Sequence, residues 1–116
     1  MTISFQLLGQ EFLALNGGPA FKFNEAISMT VGCKDQREVD ELWAKLTQGG
    51  GQEGQCGWLK DRFGLSWQIT PTRLTELLQV DDSERARRVM EAMLQMKKID
   101  IAGLTQAYDG KVAAQR

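Results

Sequence analysis

The sequence predicts an α+β domain, with an antiparallel-rich sheet in its first two thirds and helices gathered at its C-terminal end. Three observations predict it. Residues 2–8 and 27–33 alternate apolar and polar side chains with period two, and 56–71 read as two short strands around a turn; residues 35–47 switch to a period near 3.6; and the last third carries helical stripes without a strand pattern.

Thr2 to Leu8 alternate and form a first strand, Gly9-Gln10 makes a turn, and residues 11–16 return as the second strand of a hairpin. Gly17-Gly18-Pro19 ends that strand. Residues 19–25 read as an extended loop anchored by Phe21 and Phe23, and residues 27–33 as a third strand. Val39, Leu42, Trp43 and Leu46 then stand at i, i+3, i+4 and i+7, one apolar stripe on a helix. Asp35 and Glu38 resemble a capping box at its start, and Gly49-Gly50-Gly51 stops it. Residues 56–71 read as two short strands around a tight turn shaped by Asp61, with Trp58 and Trp67 facing each other across it.

Beyond Pro71, Thr72 is a cap for a short turn carrying Leu74, Leu77 and Leu78. Asp81 or Asp82 caps a helix over 83–96, with Val89, Met90, Met93 and Met96 on one side and Lys97-Lys98 at its C-terminus. Helical spacing assigns these methionines to core packing. Arg85, Arg87 and Arg88 read as a solvated face beside Asp81, Asp82 and Glu84. Asp100 caps a last helix over 101–109. The expected organisation is one domain, 1–110, with 111–116 a frayed tail.

Composition narrows the function. The chain has 116 residues, 42% hydrophobic and 25% charged, with net charge −1, so no basic field favours nucleic acid or an anionic membrane. No apolar run approaches a membrane span, and the N-terminus lacks a signal-peptide pattern, so a cytoplasmic location is expected. Cys33 and Cys56 are then free thiols. The chain has no histidine, which removes the commonest general base and the commonest zinc or iron ligand.

The segments Gln10-Glu11-Phe12-Leu13-Ala14-Leu15-Asn16-Gly17-Gly18, Cys56-Gly57-Trp58-Leu59-Lys60-Asp61-Arg62-Phe63-Gly64, Ser66-Trp67-Gln68-Ile69 and Met96-Lys97-Lys98-Ile99-Asp100 resemble the PhnB-like family, whose members carry the label demethylubiquinone methyltransferase-like. That family belongs to the vicinal oxygen chelate, or glyoxalase/bleomycin-resistance, superfamily. The resemblance implies βαβββ modules curving around a concave pocket, and in the module from 27 to 71 the one strand not legible would lie around 49–54 or be absent. It also implies that the N-terminal β-α-β of the first module is missing here, which would leave an open sheet edge and an uncovered apolar face. A homodimer or strand-exchanged oligomer is therefore expected.

Superfamily enzymes bind a divalent metal, and their last-strand pattern places a glutamate four residues after the glycine of Asp-x-x-Gly. The matching residues here are Asp61, Gly64 and then Gln68; the other positions fall on Leu13, on Ala26 and on the missing strand. An amide is a weak donor for zinc, iron or manganese and brings no charge to offset the cation. No metal or other cofactor is expected. On the last strand Ser66, Gln68 and Thr70 share a face, as do Ser28 and Thr30 on the third and Thr2, Ser4 and Gln6 on the first. These rows either hydrogen-bond a small ligand or are the solvated face of a sheet. Trp58 and Phe63 are aromatic candidates beside them, while Trp67 belongs to the core. Cys56 has no histidine to activate it and reads as a structural thiol.

The expected function is small-molecule binding without an ordinary metal site, through Gln68, Ser66, Thr70, Ser28, Thr30, Trp58 and Phe63, with no catalytic residue assigned. One alternative is a metal-dependent glyoxalase- or dioxygenase-type enzyme completed by a missing segment or a partner chain. Another is a methyltransferase. The usual glycine-rich loop after a first parallel strand is not legible for the latter, because the triple glycine follows a helix and the sheet reads antiparallel.

Overall fold

The computed structural model describes residues 1–110; the expected frayed tail, 111–116, lies outside the described residues. Strands β1 (Thr2–Leu7) and β2 (Gln10–Leu15) form a hairpin, followed by a 3-10 turn (Gly18–Ala20) and β3 (Ser28–Cys33). Helix α1 (Gln36–Thr47) leads to β4 (Gln52–Glu53), β5 (Trp58–Lys60) and β6 (Ser66–Pro71). Helices α2 (Thr72–Leu78), α3 (Ser83–Leu94) and α4 (Ile101–Tyr108) complete the described chain.

Residues 28–71 form one βαβββ unit, with strands in the order β3-β6-β5-β4. The strand left open at 49–54 exists, as the two-residue β4. One expectation is corrected: β3 and β6 run parallel, while β4–β5 and β5–β6 are antiparallel. The crossover through α1 and two further strands returns β6 alongside β3 in the same direction, an arrangement that local alternation cannot reveal.

Helix α1 begins as its sequence requires. Asp35 accepts from the Glu38 N–H at 2.9 Å, and Glu38 reaches back to the Lys34 N–H at 2.9 Å. Its stripe buries Val39 and Trp43 against Cys33, Leu59 and Ile69, with Val31, Leu42, Leu46 and Trp67 around them. Fully burying each large member contributes about 1.5–3 kcal/mol. A second cluster joins Leu74, Leu77, Val89, Ile99 and Leu104, with Met93 and Met96 packed on it. Met90 departs from the expected core row and is exposed.

The two clusters meet at residues 96–101. The N–H groups of Cys56 and Gly57 donate to the carbonyls of Met96 (2.7 Å) and Lys97 (2.8 Å). Gln36 donates to the Ile99 carbonyl at 3.0 Å and accepts from the Ile101 N–H at 2.8 Å. Gln36 thus caps α4; Asp100 makes no side-chain cap. Lys98, expected at a helix end, pairs instead with Asp40 at 2.9 Å. Asp82, not Asp81, caps α3, and Pro71 rather than Thr72 occupies the cap position of α2. Arg88 keeps its ion pair with Glu84 at 3.5 Å and also donates to the carbonyls of Ala107 and Tyr108 at the end of α4.

The β1–β2 hairpin is a separate two-stranded sheet. Its contacts with the rest are sparse, which gives a radius of gyration of 16.7 Å, above the roughly 13 Å of a compact chain this long. Ile3, Phe5 and Leu7 share one face with Ala14 and Phe12, and Phe5 stacks on Phe12 at 5.5 Å. The loop after the hairpin is not anchored by its phenylalanines: Phe21 is 93% exposed and Phe23 61%. Nothing among the described residues covers them.

Two substitutions test these points. Gly57 sits at φ +84°, and an added Cβ would lie 3.0 Å from the Ile69 carbonyl oxygen and 3.1 Å from Ile99 Cγ1. Gly57→Ala is expected to lower stability by about 2 kcal/mol, read by urea unfolding. The hairpin turn places Leu8 at φ +52° beside Gly9 at φ +82°. Leu8→Asn should slow amide exchange across the hairpin severalfold while leaving the Ile69 amide unchanged, because Asn-Gly suits two left-handed positions.

Candidate functional site

Strand register sorts the sheet into two faces. Leu59, Trp67 and Ile69 turn toward α1. On the opposite face, Ser28, Ser66, Lys60 and Gln52 stand side by side across all four strands. The next row holds Thr30, Gln68 and Trp58, and the one beyond it Gly32 and Thr70. The expected grouping of Ser28, Thr30, Ser66, Gln68 and Thr70 on one face is therefore present, on the side away from the helix.

The tryptophans do not face each other. Trp58 lies opposite Gln68 and Trp67 opposite Leu59, so the two rings sit on opposite faces. Asp61 explains the arrangement: its carboxylate accepts from the Phe63 and Leu65 N–H groups at 2.9 and 3.0 Å and from Trp67 Nε1 at 2.9 Å. One side chain closes the turn and fixes Trp67 to the core side.

Gln68 Nε2 donates to Ser28 Oγ at 2.8 Å, joining β6 to β3. Ser66 is 1% exposed, and its hydroxyl has no hydrogen-bond partner. A buried hydroxyl left unpaired costs about 1–3 kcal/mol. Beside it, a cavity of about 190 Å³ is lined by Glu25, Gln52, Glu53, Trp58, Lys60 and Ser66, with Gly54 and Leu59. Glu25, from the loop before β3, pairs with Lys60. The hydrogen bond from Lys60, a backbone hydrogen bond and the ammonium charge hold the Glu25 carboxyl below the ordinary glutamate value of 4.5.

Phe63 is not brought to this row. It is 68% exposed at the β5–β6 turn, with the Arg62 guanidinium 4.8 Å from its ring centre. The polar row of Thr2, Ser4 and Gln6 stays on the separate hairpin. Lys60, Gln52 and Glu25 escaped the sequence reading. Lys60 was legible in principle, because it stands two residues from Trp58 on one strand; Gln52 needed β4, and Glu25 carries no local signal.

The positions that correspond to metal ligands do not fit a divalent cation. Gln68 offers a neutral amide engaged with Ser28, Leu13 stands on the hairpin, and Ala26 has no donor atom. Among the described residues no three His, Cys, Asp or Glu side chains come together as a metal site. Both cysteines are free, Cys33 buried and Cys56 half-buried. Burial, with the charges of Glu38 and Asp35, pushes the Cys33 thiol up. Among the described residues no helix is long and apolar enough to cross a membrane.

The Glu25–Lys60 pair has a pH signature. A lowered folded-state value means that the pairing stabilises the fold above the unfolded value of 4.5 and is lost as pH falls through the lowered one. In a carbon-detected NMR titration the Glu25 midpoint is expected below 4.5, returning toward 4.5 in Lys60→Met; equal midpoints in the two proteins would contradict the pairing.

Comparison with known proteins follows the same outline. The sequence model of the family described as 3-demethylubiquinone-9 3-methyltransferase matches residues 1–70. Among solved structures, the chain is similar to the PhnB protein from Bacillus cereus, with 32% sequence identity and a TM-score of 0.57. That match covers 61% of this chain and spans 64% of the Bacillus cereus chain. No curated protein matches. The mixed α+β architecture, with its βαβββ unit and C-terminal helices, agrees with the vicinal oxygen chelate type of fold. The chain belongs to the PhnB-like family described as 3-demethylubiquinone-9 3-methyltransferase.

Proposed function

We propose that this chain is a cytoplasmic small-molecule-binding protein without an ordinary metal centre, and that its site is the sheet face turned away from α1. Ser28, Thr30, Ser66, Gln68, Thr70 and Trp58 carry the binding. The observation that carries this reading is the unpartnered Ser66 hydroxyl, 1% exposed, beside a cavity and next to the Gln68–Ser28 hydrogen bond. Folds seldom leave such a group unsatisfied without a reason, and a ligand that accepts its proton is one. Among the described residues, the acid and base beside the row, Glu25 and Lys60, are paired with each other, so binding is the activity proposed rather than a reaction.

We further propose that two copies associate through the β1–β2 hairpin. An isolated two-stranded hairpin is marginal in water, and this one exposes Ile3, Phe5 and Leu7 on one face. A second copy, docked on the apolar face or exchanging the hairpin, would cover them.

A second reading follows from the description of the family, methyl transfer. Saturable S-adenosylmethionine binding by calorimetry would favour it over the first. A metal-dependent glyoxalase- or dioxygenase-type activity, with ligands from a partner chain, would show as one equivalent of metal retained after dialysis.

Two measurements test the main reading. In an NMR screen of small neutral and charged fragments, hits should shift the Trp58 indole and Gln68 side-chain amide signals, and Gln68→Ala should weaken binding about tenfold, the worth of a lost hydrogen bond. Shifts confined to other faces would count against the site. By sedimentation the chain should run as a dimer, with Phe5→Lys displacing it toward monomer; a monomeric wild-type chain would sink the association.

A further inference from the structure

We infer that the cavity beside β4 and β5 takes the carboxylate of a small aromatic or apolar acid, and that Glu25 is an intramolecular stand-in for that carboxylate. This rests on the small-molecule reading above and names the ligand class for the same site. Ser28, Ser66, Lys60 and Gln52 form one row across the sheet, each strand contributing one member. Of these, Ser66, Lys60 and Gln52 line the cavity, with a hydroxyl, an ammonium and an amide to donate. A carboxylate, with its two oxygens and about four lone-pair directions, is the group that accepts from such a row. Trp58 stands in the neighbouring row and gives the cavity an apolar wall for the body of the acid.

Two observations mark the row as made for a guest. Ser66 Oγ is buried with no hydrogen-bond partner, and its cross-strand neighbour Lys60, a donor, makes no bond to it. And Lys60 is already met by a carboxylate, that of Glu25, which belongs to no strand and reaches in from the loop before β3. Glu53 also lines the cavity, but its register partner is Leu59, on the other side of the sheet from Lys60. Glu25 and Lys60 remain 61% and 37% exposed, and ion pairs of that kind contribute little. A ligand carboxylate that reaches both Lys60 and the Ser66 hydroxyl therefore displaces Glu25. The cavity, about 190 Å³, has room for a single ring and its acid group rather than a large cofactor.

The test is a ¹⁵N NMR titration with benzoate and, as its neutral counterpart of the same shape, benzamide. Benzoate should shift the Lys60 and Ser66 amides and the Trp58 indole N–H saturably, with affinity at least tenfold above benzamide. Lys60→Met should abolish that preference. Glu25→Gln should tighten benzoate severalfold, because the internal competitor is gone; this variant leaves every strand residue in place, so its result stands even if Lys60→Met fails to fold. Equal affinities for the two probes overturn the ligand class, and an unchanged or weaker benzoate affinity in Glu25→Gln overturns the stand-in. If benzamide shifts Trp58 and Gln68 as well as benzoate does, the carboxylate is wrong and the small-molecule site survives. If neither probe shifts them, both fall.

Discussion

The left-handed turn at Cys56-Gly57 is the constraint on which most of this structure depends. Cys56 and Gly57, at φ +59° and +84°, turn two successive N–H groups onto the carbonyls of Met96 and Lys97, while the Gly57 carbonyl accepts from Ile69 at 2.8 Å. Three segments distant in sequence are pinned at one point. The turn sets the phase of β5, so that Leu59 faces α1 while Trp58 and Lys60 face the opposite way. A slip of one residue would exchange those faces, sending Lys60 into the core and Leu59 into the polar row. The seam also seats Ile99, 1% exposed, in the helical cluster. Gln36 completes it from α1, so the sheet and the C-terminal helices are joined by directional hydrogen bonds as well as by apolar contact.

The site follows from that phase. Once Leu59, Trp67 and Ile69 are committed to α1, alternation leaves Ser66, Gln68 and Thr70 on the other face, and register brings Ser28, Thr30, Lys60 and Gln52 beside them. Asp61 plays the supporting part at the other end of the strands by holding the turn and the Trp67 indole together. The hairpin β1–β2 stands outside this logic. It has good local pairing, including the Phe5–Phe12 stack, but no layer behind it, and its apolar side chains stay exposed.

Much of the architecture was legible because local rules and tertiary structure agreed. Val39, Leu42, Trp43 and Leu46 are a helical stripe wherever they are placed, and Asp35 caps α1 by a bond spanning three residues. The hairpin, β3, the turn at Asp61 and the three C-terminal helices were legible for the same reason. Disagreement came where a partner was remote. The cap of α4 is Gln36, more than sixty residues away in sequence, so Asp100 was the natural but mistaken choice. Arg88 read as a surface charge because the carbonyls it binds belong to another helix. Phe21 and Phe23 read as anchors because phenylalanine usually is buried, and only the three-dimensional arrangement shows that no described element lies over them.

The sequence by itself determined the α+β class, the faces of the strands and of α1, the resemblance to the PhnB-like family, and a donor set without histidine. These rest on side-chain period and residue chemistry, which are properties of a chain before it folds. Only the tertiary structure decided that β6 lies parallel to β3 and between β3 and β5, that Trp58 and Trp67 part to opposite faces, and that Lys60 and Glu25 join the polar row while Phe63 does not. Those outcomes depend on strand order and register, which are set by contacts between segments far apart in sequence.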